Sequence, residues 1–446
     1  MRRHVALWLL IWTVGAFAFL SGCGEGENTL EDQHKGKGQL ESSQSETITL
    51  YSGAYGAYLK DLVAAYNQES EHYEIVVQTC GEGEDIQTFR NRVQAELSAG
   101  DGPDLLDIYA LQNLDYMPYA QKGFLLELTE VMKDVGGEIP EKVMACNRWE
   151  DGVYGLPSSF YLSGLLYMQE LNVTGEEWNA QRCMQALEDG NTPYFCARIW
   201  NFNAQDMGNY ILSLLGVGRE GIQLYVDERE GTCHFDSTEF KQMLSFAKEH
   251  LDDGGGDAQE KMLNGEAFFS EWNFGSFRHF WEASLKYQGK QKYIGYPSPK
   301  GEVYGVRARG LYVNARTEHL EGVKDFLAFV LSDQEQEKIV SSQDGYFPAR
   351  LDVLQKIWEE AKKEVSDDTW YMTDAKGEIQ YKPRRMTQEE EQIFWHMLDC
   401  SVPFYYQNAI DDIVCEETPL YFTGEKGADE VAKAVQSRVQ NYLNER

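Results

Sequence analysis

Between residues 47 and 109 the spacing of the apolar residues changes four times, and that alternation restricts the fold more than any other feature. Thr47-Ile48-Thr49-Leu50-Tyr51 alternates as a strand. Residues 52–56 make a turn, after which Tyr58, Leu59, Leu62, Val63 and Tyr66 recur at helical spacing. Tyr73 to Val77 reads as a second strand. Ile86, Phe89, Val93 and Leu97 form another helical stripe, and Gly100 stands where a left-handed helix end needs a residue without a side chain. The turn Asp101-Gly102-Pro103-Asp104 then leads into a third strand, Leu105 to Tyr109. A β-α-β-α-β order predicts an α/β fold, with a mostly parallel sheet flanked by helices.

The rest of the body repeats these signals less regularly. Gly152 to Pro157 is an extended passage punctuated by Gly and Pro, and the strand Tyr161 to Met168 follows. Asp252 to Asp257 is an acidic, glycine-rich loop. Two more extended segments cover Tyr293 to Pro297 and Gly310 to Asn314, and Val323, Phe326, Leu327 and Val330 mark a helix. Gly345 to Arg350 breaks the pattern. Thr387 with Glu390 three residues on is a capping-box signature, and a last helix carries Val431, Val435, Arg438 and Tyr442 on one side. There is no internal repeat.

The N-terminus has a different character. Arg2-Arg3-His4 precedes an apolar run from Val5 to Leu20, which ends in Leu20-Ser21-Gly22-Cys23. A charged start, a short apolar core and small residues before a cleavage point make a secretory signal, here residues 1–22. Leu-Ser-Gly-Cys resembles the bacterial lipobox, whose cysteine receives a diacylglycerol, so Cys23 is the expected lipidation site. An ordinary signal peptide ending near a cysteine, or a signal anchor, is the alternative. Residues 23–46 have no apolar period and read as a flexible tether. The expected location is the extracytoplasmic face of the cell membrane.

Charge narrows the partners. Asp and Glu number 73 against 40 Lys and Arg, a net charge of −33. Nucleic acid needs clustered cations and is excluded as a partner. An anionic membrane would repel such a surface, which leaves the lipid as tether. The 26 Tyr and 10 Trp exceed what cores require and suit a surface that stacks on sugar rings. Of eight Cys, seven remain beside Cys23, none in a CxxC pair. Cys183 with Cys196, and Cys400 with Cys415, are near enough in sequence to pair, and buried free thiols are equally compatible.

The order of segments resembles the family 1 extracellular solute-binding proteins of ABC importers, the group that contains maltose-binding protein. The resemblance spans about residues 47–446. It is carried by Gly102-Pro103-Asp104 before a strand and by Val153-Tyr154-Gly155-Leu156-Pro157 followed by Leu165-Leu166-Tyr167-Met168. Leu263-Asn264-Gly265-Glu266-Ala267 and Gly310-Leu311-Tyr312-Val313-Asn314 with Val323 to Leu327 extend it, and Phe422-Thr423-Gly424-Glu425 with Gln440 to Glu445 closes it. Met168 stands where the family usually has Asn, and Phe268-Phe269 where it has a small residue and Met. The resemblance implies two α/β lobes joined by crossing strands, one of about 47–156 and 309–345, the other of about 157–308 and 346–446. It further implies a small-molecule solute, most simply a carbohydrate, bound between the lobes of a monomer and passed to ABC permease subunits.

A site for a sugar needs flat apolar faces and side chains that donate and accept hydrogen bonds, set beyond the C-terminal ends of strands. Tyr51, Asp107, Tyr109, Tyr161, Trp200, Asn201, Trp272, Arg309 and Tyr346 meet that description. Trp200 and Trp272 attract attention because each sits beside Asn in an expected loop. The alternative for every one is a place in a lobe core, for Arg309 an ion pair, and for Asp107 a helix cap. Catalysis has little support: G-x-S-x-G and H-E-x-x-H are absent, and the acidic runs near 389, 411 and 416 read as solvated helix faces. The loop 252–257 lacks the ligand spacing of a calcium loop, and Gly81-Glu82-Gly83 carries acids that would repel phosphate. No cofactor or metal is expected. A lipid-anchored enzyme acting on glycans, or a binding protein for another solute, is the competing function.

Overall fold

The computed structural model describes residues 45–445 except 54–56, 82–83, 109–110, 112–115, 198–202, 218–223, 228–229, 253–256, 342–345, 364–371, 374–378, 382–383 and 405–408. The expected leader, Cys23 and nearly all of the expected tether lie outside the described residues, as do Tyr109, Trp200 and Asn201.

The expected β-α-β-α-β start is present. Strand β1 (Glu46–Ser52) leads to α1 (Ala57–Glu69), β2 (Tyr73–Gln78), α2 (Ile86–Ala99) and β3 (Leu105–Asp107). The end of α2 follows the sequence signal: Gly100 has φ 87°, and its N–H reaches the carbonyls of Glu96 and Leu97. β1 pairs in parallel with both β2 and β3, which the helical crossovers through α1 and α2 make possible. Ile48 and Leu50 face one core with Leu59, Leu62 and Phe326. Tyr51 and Leu106 face a second core on the other side of the sheet, with Phe89, Val93 and Leu97.

Two long strands then carry the sheet onward. β4 runs from Gly155 to Tyr167, and after β5 (Tyr194–Cys196), α3 (Ala204–Leu214), β6 (Ala267–Phe274), α4 (Phe277–Lys286) and β7 (Lys292–Ile294) comes β8, from Tyr304 to Val313. The chain continues through α5 (Leu320–Val330), α6 (Asp333–Ser341), β9 (Phe347–Pro348), α7 (Leu351–Ala361), α8 (Gln388–Asp399), β10 (Ser401–Pro403) and α9 (Ala428–Glu445). Among the described residues the sheet has ten strands with the path β2-β1-β3-β8-β4-β6-β5, while β7 and β9 pair with β4 and β10 with β8. Pairs at the two ends are parallel, and β3–β8, β8–β4 and β4–β6 are antiparallel. Both crossing strands are longer than the sequence suggests. β4 begins at Gly155 and accommodates Pro157, which has no N–H to give the ladder, at a bulge.

That bulge sits between Arg309 and Gly310 on β8, where Arg309 faces Ser159 and Gly310 faces Pro157, so Ser158 is the extra residue. Gln336 of α6 holds it. The Gln336 amide donates to the carbonyls of Ser158 and Val330, each at 3.0 Å, and accepts from the Arg350 N–H at 3.1 Å. Gln336 is fully buried, so no water can replace these bonds. Gln336→Ala is expected to lower unfolding free energy by about 2–4 kcal/mol, because buried backbone groups lose their partners. Urea denaturation measures this, and a loss under about 1 kcal/mol would contradict the assigned role.

Beyond the crossings, Phe195, Phe269, Ile211 and Leu244 build a third core together with Val431, Val435 and Val439 of α9. Arg438 of the same helix is exposed and pairs with Glu416 and Glu417. The capping box on α8 forms as expected between Thr387 and Glu390. Cys80, Cys146, Cys183, Cys196, Cys233, Cys400 and Cys415 are all free thiols, four of them buried. Among the described residues no helix is long and apolar enough to cross a membrane.

Candidate functional site

The crossing strands have two faces of opposite chemistry, and the two-residue period of a strand assigns each side chain to one of them. On one face Phe160, Leu162, Val306 and Phe347 pack with Trp358, Phe394 and Cys146 in a closed core. On the other, Ser159 and Tyr161 of β4 stand directly opposite Arg309 and Arg307 of β8. Tyr346 immediately precedes Phe347, which pairs with Phe160, and so stands beside Tyr161.

These groups touch. Arg307 Nη1 donates to the Tyr161 hydroxyl at 2.9 Å, and its guanidinium lies 5.9 Å from that ring. The rings of Tyr161 and Tyr346 meet edge to face at 5.7 Å. Arg309 has its guanidinium carbon 5.5 Å from the Tyr58 ring and 5.5 Å from the Tyr346 ring. Cation–π contact on two sides holds this side chain in place. Arg307, Arg309, Tyr58 and Tyr346 are half-buried, and Ser159 is buried.

The first strands contribute the neighbouring wall. Ser52 ends β1 and Asp107 ends β3, paired in register, and the Ser52 hydroxyl donates to Asp107 Oδ2 at 3.4 Å. Asp107 is 1% exposed. Tyr58, one residue into α1, brings its hydroxyl to the same place. Burial pushes the Tyr58 phenol well above its usual range, and the charge of the nearby Arg309 holds it back in part. The Tyr58 and Ser159 hydroxyls are buried and have no hydrogen-bond partner among the described residues. Buried hydroxyls of this kind call for a ligand or a water.

The structure therefore brings Asp107, Tyr161, Arg309 and Tyr346 together from the sequence candidates. Tyr58, Ser159 and Arg307 belong with them. The last was visible as the i−2 neighbour of Arg309 on a strand, while Tyr58 reads from sequence only as part of a helix stripe. Tyr51 lies elsewhere: its ring packs 5.8 Å from Phe89, with the Arg92 guanidinium 5.7 Å away. It borders a polar surface depression of about 560 Å³ shared with Thr47, Asp104 and Arg316.

Trp272 is inside β6 and not in a loop, a correction to the sequence reading. Its indole N–H donates to the His279 carbonyl at 3.2 Å, and its ring meets Tyr287 edge to face at 6.0 Å. The α4 region thus engages the ring. Asn203, near the expected Trp200 cluster, caps α3 through the N–H groups of Gln205 and Asp206. Asp252 of the acidic loop is paired with Lys261, and Asp257 caps the following helix through the Glu260 N–H.

One titratable group lies where β6 ends. His279 Nδ1 accepts the N–H groups of Gly275 at 2.9 Å and Ser276 at 3.3 Å, which fixes the proton on Nε2. Burial lowers its pKa, Glu282 opposes this and Arg278 adds to it. A depressed histidine contributes stability that is complete above its unfolded value of about 6.5 and is lost as pH falls toward the folded pKa. The wild-type Tm is expected to fall more between about pH 7 and about pH 5 than that of His279→Asn, which keeps an acceptor without the titration. Parallel melting curves check this, and equal slopes would contradict it.

Comparison with known proteins fits this geometry. A family model described as bacterial extracellular solute-binding protein matches residues 61–372, well over half of the chain. The chain belongs to that family. The family's description places it outside the cytoplasm. No curated protein matches. Among solved structures, the sugar-binding protein MalE from Xanthomonas citri is 14% identical with a TM-score of 0.58, covering 90% of this chain and 98% of its own. The ABC substrate-binding protein Lmo0181 from Listeria monocytogenes, in complex with cycloalternan, is 15% identical with a TM-score of 0.56, covering 90% and 100%. The GacH receptor of Streptomyces glaucescens, known unliganded and with acarbose, is 17% identical with a TM-score of 0.54, covering 90% and 99%. At such identities the likeness shows the fold of this solute-binding protein, which is the two-lobed α/β architecture expected from sequence.

Proposed function

We propose that this solute-binding protein is the lipid-anchored receptor of an ABC importer, and that it captures a saccharide, most simply an oligosaccharide, between its lobes and delivers it to membrane permease subunits. The observation that carries this reading is the polar face of β4 and β8. It combines the rings of Tyr161 and Tyr346 with the hydrogen-bonding groups of Arg307, Arg309 and Asp107. Sugar C–H faces stack on such rings, and ring hydroxyls bond to such groups. The cycloalternan and acarbose bound by two structural relatives, and the description of a third as a sugar-binding protein, support the same class.

In this reading the lobes comprise about 47–156 with 309–345 and about 157–308 with 346–446. The separate cores on either side of the crossings support that division, although Val143 and Cys146 pack into the core of the second span. Closure is a hinge motion at the crossings β4, β8 and β9. Cys23 carries the lipid, the protein works as a monomer, and no bond is made or broken. A thermal-shift screen against mono- and oligosaccharides tests the proposal. A Tm that rises with ligand concentration, with no product released, is the expected outcome. Product from a susceptible glycan would favour the enzymatic reading, and a response only to peptides or polyamines would assign another solute.

A further inference from the structure

We propose that Asn273 is the second lobe's hydrogen-bonding contact to the saccharide, and that it helps to set which saccharide is taken. The inference rests on the saccharide reading and deepens it. The groups gathered so far come from the first strands and the crossings, whereas a ligand enclosed by two lobes also meets the second. Strand register supplies a group there. Asn273 of β6 stands opposite Ser163 of β4, and Ser163 lies two residues from Tyr161. Residues that pair across strands, and residues two apart on one strand, share a face of the sheet. Asn273 is therefore on the polar face with Tyr161 and Arg307. It is the diagonal neighbour of Tyr161, a separation of roughly 7–8 Å.

Asn273 is exposed, and its amide makes no hydrogen bond among the described residues. Asn is poorly suited to a strand interior, so neither packing nor propensity gives a reason for it here. Glu271, next in the row away from the crossings, is engaged: the hydroxyl of Tyr210 donates to it at 3.1 Å, and that of Tyr296 does so too. Trp272 and Phe274 flank Asn273 and point to the opposite face, where both are anchored. The Trp272 indole donates to the His279 carbonyl, and Phe274 is buried with its ring 4.8 Å from that of Phe280. His279 Nδ1 then takes the N–H groups of Gly275 and Ser276, just past the strand end. The backbone of Asn273 is thus held from both sides before any ligand arrives, which spares the binding step that ordering cost. A carboxamide donates and accepts at once, as neighbouring hydroxyls of a sugar ring do.

Calorimetry on the full chain tests this with glucose, galactose, maltotriose, cellotriose and xylotriose as probes, alongside melting curves without sugar. Asn273→Ala is expected to weaken the tightest-binding probe by about tenfold, the loss of one to two hydrogen bonds, and to change the order of affinities among the probes. Asn273→Asp keeps the shape and the acceptor but loses the donors, and is expected to fall between Asn273→Ala and the unmodified chain. The Tm without sugar should stay the same in both, because the side chain is exposed. An affinity within about twofold of the unmodified chain in Asn273→Ala, with Arg309→Ala impaired, overturns the role of Asn273 and leaves the saccharide receptor standing. A Tm lowered in step with affinity in both Asn273 variants overturns it as well, since Asn273 would then be structural. Binding of none of the probes by the unmodified chain removes both readings.

Discussion

Arg309→Ala is expected to weaken saccharide binding by roughly a hundredfold or more, while the melting temperature of the unliganded protein changes little. The size follows from its position. Its guanidinium sits between Tyr58 and Tyr346, opposite Ser159 at the bulge of the crossing strands, so its loss removes charged donors and unfixes two rings together. Arginine and aromatic anchors at the centre of a contact commonly carry about 2 kcal/mol or more each, and 1.4 kcal/mol is a factor of ten. Stability should hold because the side chain is half-buried on the polar face, and the core under β8 is built from Val306, Phe160 and Phe347 on the other. Titration calorimetry and a melting curve on the same sample separate the two effects. A fall in Tm as large as the loss in affinity would make Arg309 a structural residue.

The second large effect is on stability alone. Asp252→Ala is expected to cost about 3–5 kcal/mol, since it removes one partner of a buried ion pair. The Asp252 side chain is fully buried and that of Lys261 is 10% exposed, and the two are in direct contact. Lys261 also lies 5.1 Å from the Tyr194 ring, at the far edge of the sheet from the crossings. Replacing both partners by apolar residues of similar size, Asp252→Leu with Lys261→Met, should recover most of the loss, because the cost comes from breaking a buried pair on one side only. Denaturant midpoints of the single and double variants measure the difference. Ligand affinity should be unchanged in each, and a double variant no better than Asp252→Ala would contradict the assignment.

Local pattern was enough for the first β-α-β-α-β unit, the helix end at Gly100 and the capping box at Thr387, because each depends on residues a few positions apart. The crossing strands were read short for physical reasons. Tyr304 to Gly310 contains two arginines, which local rules place in solvent, and only pairing with β4 shows that they share one face with Val306 and Ala308 on the other. Trp272 was placed in a loop because the run Ala267 to Phe274 does not alternate cleanly, its strand being defined by β4 and β5 on either side. Gln336 carries no local signal, since its partner Ser158 is 178 residues away. The candidate site was legible in part: Asp107, Tyr161, Arg309 and Tyr346 follow from strand ends and crossings. Tyr58 and Ser159 required the register, which no single segment specifies.

A crystal structure of the protein with a bound saccharide tests the central claim most directly. The account predicts the sugar on the polar face of β4 and β8, within hydrogen-bond distance of Arg309 and against the ring of Tyr346. A sugar seated instead in the depression lined by Thr47, Asp104 and Arg316, with the crossing strands untouched, would contradict it.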